Sequence, residues 1–144
     1  MRNAYRGQVD IVGHLAQQVL VDEATAEMPG FSGCQAGVAQ GCISATGDVY
    51  PCVLLPIPVG NLRRASLTEI WRRAPLLNEL RDRNNLGGSC NDCHVRKSCG
   101  GCRAVAYART GDVFASDPRC WIAGPGAAFK ETPLTITIKG AAHV

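Results

Sequence analysis

Eight cysteines stand at positions 34, 42, 52, 90, 93, 99, 102 and 120 of a 144-residue chain, three dispersed, four packed into thirteen residues and one outlying. An even set of thiols serves either as disulfides or as metal ligands, and eight divides into two complete four-thiolate sites. Iron–sulfur clusters and zinc both favour four soft thiolates in tetrahedral array, so the count fits two clusters or two zinc ions equally well. Cys90-x2-Cys93 and Cys99-x2-Cys102 are turns of the kind that face two thiolates toward one metal or cluster. Being only five residues apart, the two turns could instead crowd round a single zinc, which makes a zinc-binding interaction module the alternative reading.

Cys90-Asn91-Asp92-Cys93-His94 also matches the Cys-x-x-Cys-His signature of covalent haem attachment, with His94 as axial ligand. That reading leaves six cysteines unexplained and is set aside, and His94 is taken as a surface residue or a neighbour of the site. His14 and His143 have no partner pattern. Asp112, Asp117 and Glu69 sit at turns or caps where a local structural role suffices, so no catalytic acid, base or nucleophile is assigned.

Composition argues for metal over a large core. Sixteen glycines and eight prolines against three Phe, three Tyr and two Trp describe a loop-rich chain with few large side chains to pack. Such a chain needs staples. The first residues lack the apolar run of a signal peptide, and no stretch approaches the length of a membrane span. A cytoplasmic location with reduced thiols is therefore expected, which disfavours disulfides. Net charge is +3, and twelve of the fifteen basic residues are Arg. Arg63-Arg64 and Arg72-Arg73 lack the interleaved aromatics of a nucleic-acid surface, so neither nucleic acid nor membrane is expected as a partner. Arg96 and Arg103 lie beside candidate ligands. There they could offset the charge of about −2 that an oxidised four-iron cluster with four thiolates carries.

The elements that must position these thiols are short. Helical spacing over residues 8–27 predicts an N-terminal helix stopped by Pro29-Gly30. Cys42–Ala45 and Val49–Cys52 flank Thr46-Gly47-Asp48 as a tight hairpin, with Gly47 supplying the positive φ. Pro56, Pro58 and Gly60-Asn61 read as a turn-rich connection. Ser66 with Glu69 forms a capping box that starts a helix through Leu67, Ile70 and Trp71. Pro75 breaks or restarts that helix, and Leu76, Leu77 and Leu80 continue an apolar, core-facing stripe to about Arg83. Nothing regular is expected between Cys90 and Cys102. Arg103 to Arg109 should be a short helix ended by Gly111, and Thr135–Ile138 alternates like a strand. The fold class expected is a small, loop-rich α+β domain, a β-hairpin with short helices cross-linked by two [4Fe-4S] clusters. Its divisions are residues 1–33 (helical segment or linker), 34–121 (cysteine domain) and 122–144 (tail).

The pattern Cys34-x12-Gly47-x4-Cys52, then Cys90-x2-Cys93-x5-Cys99-x2-Cys102 and Cys120, closely resembles the seven-cysteine signature of SPASM domains. These lie C-terminal to the barrel in radical S-adenosylmethionine enzymes that modify ribosomal peptides, sulfatases and tetrapyrroles, and Cys42 lies where several members place an eighth ligand. The words Gly47-Asp48-Val49-Tyr50-Pro51-Cys52, Gly60-Asn61-Leu62, Leu67-Thr68-Glu69-Ile70-Trp71, Cys99-Gly100-Gly101-Cys102-Arg103-Ala104 and Ala115-Ser116-Asp117-Pro118-Arg119-Cys120 are similar too. The likeness spans about residues 33–121.

The resemblance implies that Cys34, Cys42, Cys52 and Cys102 hold a first auxiliary cluster and Cys90, Cys93, Cys99 and Cys120 a second. Cys99 and Cys102 thus serve different clusters, although sulfatase-maturating members usually carry three residues where only Gly100 and Gly101 stand here. Two glycines give the backbone freedom to turn the thiols apart. Fully thiolate-ligated clusters have no vacant iron, so the implied role is electron transfer and closure of a substrate cavity. The Cys-x3-Cys-x2-Cys loop that binds the S-adenosylmethionine cluster is absent. The residues before Cys34 are too few for a barrel, which takes about 250 residues in full. The implied partners are a catalytic core, in cis or in trans, and through it a peptide or tetrapyrrole substrate, the matched words looking closest to members that modify haem-type tetrapyrroles. Without metal the domain should lose much of its order.

Overall fold

The computed structural model describes residues 24, 27–29 and 31–122. The strand expected at Thr135–Ile138 lies outside them, as does the helix expected over 8–27 save for Ala24 and Glu27. Within them the architecture is a small α+β arrangement of a three-stranded antiparallel sheet and five short helices, with no barrel.

β1 (Cys42–Ile43) and β2 (Asp48–Tyr50) form the expected hairpin, with Cys42 opposite Tyr50 and Ile43 opposite Val49. Gly47 sits at φ +88, a conformation that costs a residue with a Cβ but not glycine. The turn is reinforced by Asp48, whose Oδ2 accepts from the Thr46 hydroxyl at 2.7 Å and whose Oδ1 accepts from the Asn61 amide at 2.8 Å. Gly60–Asn61, expected as a turn, is instead a third strand, β3, pairing Asp48 with Asn61 and Val49 with Gly60. Two things override the turn propensity. Asn61 ties itself to the hairpin by its side chain, and Gly60 lies so close under Ile70 that a Cβ would stand 2.8 Å from that side chain.

α1 (Leu67–Arg73) begins where expected, with the Ser66 hydroxyl accepting from the Glu69 N–H at 3.2 Å. Ala74 ends α1 and starts α2 (Pro75–Arg81), so Pro75 restarts the helix at its first position. α2 stops at Arg81, two residues short of expectation, because extended Asp82 turns its carboxylate onto the Asn84 N–H and caps a 3-10 turn at Arg83–Asn85. Leu77 and Leu80 are buried as expected, Leu77 with Val49, Ile70 and Ala74, and Leu80 with Leu55, Cys102, Ala104 and Val113. A third buried group is Cys34, Ala36 and Cys99, and Cys52 packs against this group and the Leu80 group alike. Thiols are thus built into the core.

The dense cysteine segment is more regular than expected. α3 (Gly88–Asn91) and α4 (Arg96–Cys99) are single helical turns carrying Cys90 and Cys99. One turn is all that the spacing permits, and Gly100 in the left-handed region closes α4. α5 (Arg103–Thr110) runs as expected and ends at Gly111, φ +77. Arg81 clips the first cysteine loop onto the helices. Its guanidinium donates to the Gly37 carbonyl at 2.9 Å and the Trp71 carbonyl at 2.8 Å, and lies 5.1 Å from the Trp71 ring centre.

Candidate metal centre

The four cysteines of the second expected set line one cavity of about 460 Å³, together with Arg96, His94, Asp117 and the Gly100-Gly101 pair. Cys90 and Cys99 are buried, Cys93 and Cys120 half-buried. Each comes from a different piece of backbone. Cys90 and Cys99 ride on α3 and α4, Cys93 lies in the turn between them, and Cys120 arrives on the Asp117-Pro118 turn with its N–H donating to the Asp117 carbonyl at 3.0 Å. Burial pushes the Cys99 thiol up to about 11. The Gly101 N–H, 3.4 Å from its sulfur, works against this, while the neighbouring Cys120, Cys90 and Cys93 thiols add to it. Iron bound by these thiols would reverse that balance and take them as thiolates.

Three cysteines of the first expected set lie in adjoining packing. Cys34 and Cys102 are buried, and Cys52 packs against the groups that contain each of them. The Cys102 thiol is raised mainly by burial, with Cys34 among the neighbours that disfavour its ionisation. Cys42 sits on β1 and lines a separate cavity with Ile43, Leu67, Trp71 and Arg72. Among the described residues, no three His, Cys, Asp or Glu side chains stand close enough to share a single metal ion.

The two sets are interleaved by the backbone. The Cys34 N–H donates to the Cys99 carbonyl at 3.0 Å, which places a cysteine of the first expected set directly on one of the second. Gly100 and Gly101, at φ +68 and +57, turn the chain between Cys99 and Cys102.

Two residues that spacing did not bring out are central here. Asp117 is 1% exposed, and its Oδ2 accepts the Cys102 N–H at 2.7 Å while Oδ1 accepts the Arg119 N–H at 3.0 Å. A local turn role therefore describes only part of what it does, since one carboxylate holds Cys102 and frames the turn to Cys120. Arg83 is buried at the end of the leucine-bearing segment, and its Nη2 donates to the Ser32 and Cys34 carbonyls. Nothing in its spacing distinguished it from the surface arginines around it. Arg103 lies where expected, fully buried with Nη1 donating to the Val113 and Ala115 carbonyls and Nη2 4.0 Å from Cys90 Sγ. Arg96 lines the cavity but spends its donors on Asn91 and Asn84.

The charge balance fits an anionic group. Among the described residues the buried charges are Arg83, Arg103 and Asp117, two cations to one anion, and Arg103 Nε is buried without a hydrogen-bond partner. Buried cations without counter-charge are costly. Ionised thiolates around a metal would supply that counter-charge.

Residues 34–94 match the sequence model of the SPASM family, described as an iron-sulfur cluster-binding domain. That span holds Cys34, Cys42, Cys52, Cys90 and Cys93, and the remaining three thiols follow it. An AdoMet-dependent heme synthase of Methanosarcina barkeri is 44% identical over 88 residues, 61% of this chain and 25% of that protein. Its counterpart in Nitratidesulfovibrio vulgaris is 41% identical over 88 residues, 61% of this chain and 24% of that one. A PqqA peptide cyclase of Streptomyces rochei is 32% identical over 124 residues, 83% of this chain and 32% of that protein. The chain thus spans about a quarter to a third of the length of these relatives. Thiols gathered on short turns and a buried excess of cationic charge accord with the similarity of residues 34–94 to the SPASM family of iron-sulfur cluster-binding domains.

Proposed function

We propose that this chain is the auxiliary-cluster part of a radical S-adenosylmethionine enzyme and binds two [4Fe-4S] clusters for electron transfer and closure of a substrate cavity. The observation that carries this reading is the convergence of Cys90, Cys93, Cys99 and Cys120 on one cavity of about 460 Å³. Those four would hold one cluster, and Cys34, Cys42, Cys52 and Cys102 the other, with Cys42 drawn in from β1. When bound, such clusters supply one-electron transfer with no vacant iron for substrate. The chain's own contribution is to hold the thiols on single helical turns and to surround them with buried N–H groups and guanidinium cations. Asp117 keeps Cys102 and Cys120 in place.

The S-adenosylmethionine site would belong to a catalytic core lying elsewhere in the same polypeptide or in a separate one. Identities of 44% and 41% to two of the heme synthases, against 32% to the Streptomyces rochei peptide cyclase, support a tetrapyrrole substrate ahead of a ribosomal peptide. A cytoplasmic location suits clusters that need reduced thiols, and no helix among the described residues is long and apolar enough to cross a membrane.

The test is iron, acid-labile sulfide and zinc per chain after anaerobic reconstitution, repeated with Cys120→Ala. About eight irons and eight sulfides, falling to about four of each in the variant, are expected from two four-iron sites. One or two zinc ions with little iron would overturn the electron-transfer reading and leave a structural zinc module.

A further inference from the structure

The Gly100-Gly101 step makes room for one buried arginine at each glycine. A Cβ at Gly100 would stand 2.5 Å from Arg83 Nη1, and a Cβ at Gly101 would stand 2.5 Å from Arg103 Nη2. The two guanidinium groups are therefore brought in against the two residues that separate Cys99 from Cys102. They reach this point from different elements, Arg83 from the 3-10 turn that follows α2 and Arg103 from the first position of α5.

Their surroundings differ. Arg103 is 0% exposed and directs Nη2 at Cys90 Sγ, a ligand of the second set. The Gly101 cradle that admits it also touches Asp117 and Cys90. Arg83 is 9% exposed and donates to the Cys34 carbonyl, so it holds a first-set segment. It also lies against Gly100, the residue next to Cys99, close enough for its charge to favour an ionised Cys99. Neither arginine is within ion-pair distance of a carboxylate, since the ion pairs among the described residues are Arg73 with Glu69 and Arg119 with Asp117. A cation buried without an ion-pair partner stabilises whatever negative charge arrives nearby, and it does so more strongly than a solvated one because screening is weak.

Resting on the two-cluster reading, we propose that Arg83 and Arg103 set the reduction potentials of the two clusters unequally. Arg103 acts on the cluster of Cys90, Cys93, Cys99 and Cys120, and Arg83, bonded to the Cys34 carbonyl and set against Gly100 beside Cys99, acts on both. Reduction adds one electron to a cluster and makes it more negative by one charge. A buried cation beside it favours the reduced form and raises the potential. Arg83 in addition offsets the repulsion that one reduced cluster exerts on the other, so both can be reduced in a narrower potential range. Both arginines are positioning residues in this account, because they touch the thiol-bearing segments and no substrate.

The experiment is a potentiometric titration of the anaerobically reconstituted full chain with dithionite and mediators, followed by electron paramagnetic resonance, with iron and sulfide counted in every sample. Arg103→Gln is expected to lower one midpoint potential and leave the other in place, whereas Arg83→Gln lowers both and widens the gap between them. Arg103→Lys and Arg83→Lys, which keep the charge but lose the fork, are expected to shift in the same pattern by less. If a Gln variant fails to hold iron, the matching Lys variant decides by that pattern. Wild-type midpoints in loaded Arg83 and Arg103 variants, or a single shifted midpoint in Arg83 variants, would overturn the proposal. A wild-type chain that takes up zinc and little iron would instead overturn the reading beneath it, and the metal counts tell the two failures apart.

Discussion

Asp117 Oδ2 accepts the main-chain N–H of Cys102 at 2.7 Å, and both residues are buried. Because the same residue's carbonyl accepts the Cys120 N–H at 3.0 Å, one short turn fixes two thiols that are eighteen positions apart and proposed to serve different clusters. Asp117→Ala would leave the Cys102 N–H without its acceptor, at a cost of about 1–3 kcal/mol. Anaerobic thermal melts of the iron-loaded chain should show a lower midpoint for Asp117→Ala, with Asp117→Asn between it and wild type. An unchanged midpoint would remove Asp117 from the account of the site.

Gly33 offers a sharper test of how the two thiol sets are joined. A Cβ there would stand 2.1 Å from the Cys99 carbonyl oxygen on a backbone at φ +56, so Gly33→Ala must push apart the contact through which Cys34 donates to Cys99. Iron per chain should fall well below wild type. Gly111→Ala is the control, since φ is +77 but nothing lies within 4 Å, and only the left-handed backbone cost of about 1 kcal/mol applies. Equal iron in the two variants would contradict the close approach.

Acid should oppose metal loading. The Cys99 thiol is raised from 9.0 to about 11 and the Cys102 thiol is raised as well, so both are protonated at neutral pH in the metal-free chain. Metal uptake then has to displace protons, and the thiolate fraction of each group grows about tenfold per pH unit below its pKa. Iron affinity should therefore rise with pH through neutrality, with proton release measurable by calorimetry in buffers of different ionisation enthalpy. Uptake independent of both pH and buffer would show that ionised thiols already exist in the metal-free chain.

The hairpin carries its own pH signature. Asp48 is held below its ordinary value of 3.8, chiefly by the Thr46 hydroxyl and then by the Asn61 amide. A carboxyl group with a lowered folded pKa contributes stability above its unfolded value and loses that contribution as pH falls below about 3.8 toward the folded pKa. In a carboxyl titration by nuclear magnetic resonance, Thr46→Val should move the Asp48 pKa up toward 3.8. No movement would assign the shift to other partners.

Much of the local structure was legible in the residues. Gly47 between alternating segments marks the hairpin, Ser66 ahead of Glu69 marks the start of α1, Pro75 marks the restart, and Gly111 marks the end of α5. Each of these signals acts within one turn of chain, where backbone sterics and a single cap decide the outcome. Gly60-Asn61 was not legible, because its turn propensity is overridden by Asp48 and Ile70, which lie far away along the chain. The single-turn helices α3 and α4 were missed for a related reason. Their stability comes from packing and a left-handed glycine at Gly100, and four residues carry no detectable period.

By itself the sequence determined the inventory: eight thiols, their spacing, and a glycine step with an arginine just beyond it, since composition and order along the chain need no fold to be read. Only the tertiary structure decided which thiols share a cavity, that Cys34 rests on Cys99, and that Arg83 is buried beside them while Arg63 and Arg64 stay outside. The physical reason is that close approach depends on absent side chains at Gly33, Gly100 and Gly101. Which partner fills each of those spaces is settled by three-dimensional packing between segments as much as 66 residues apart, the separation of Gly33 from Cys99.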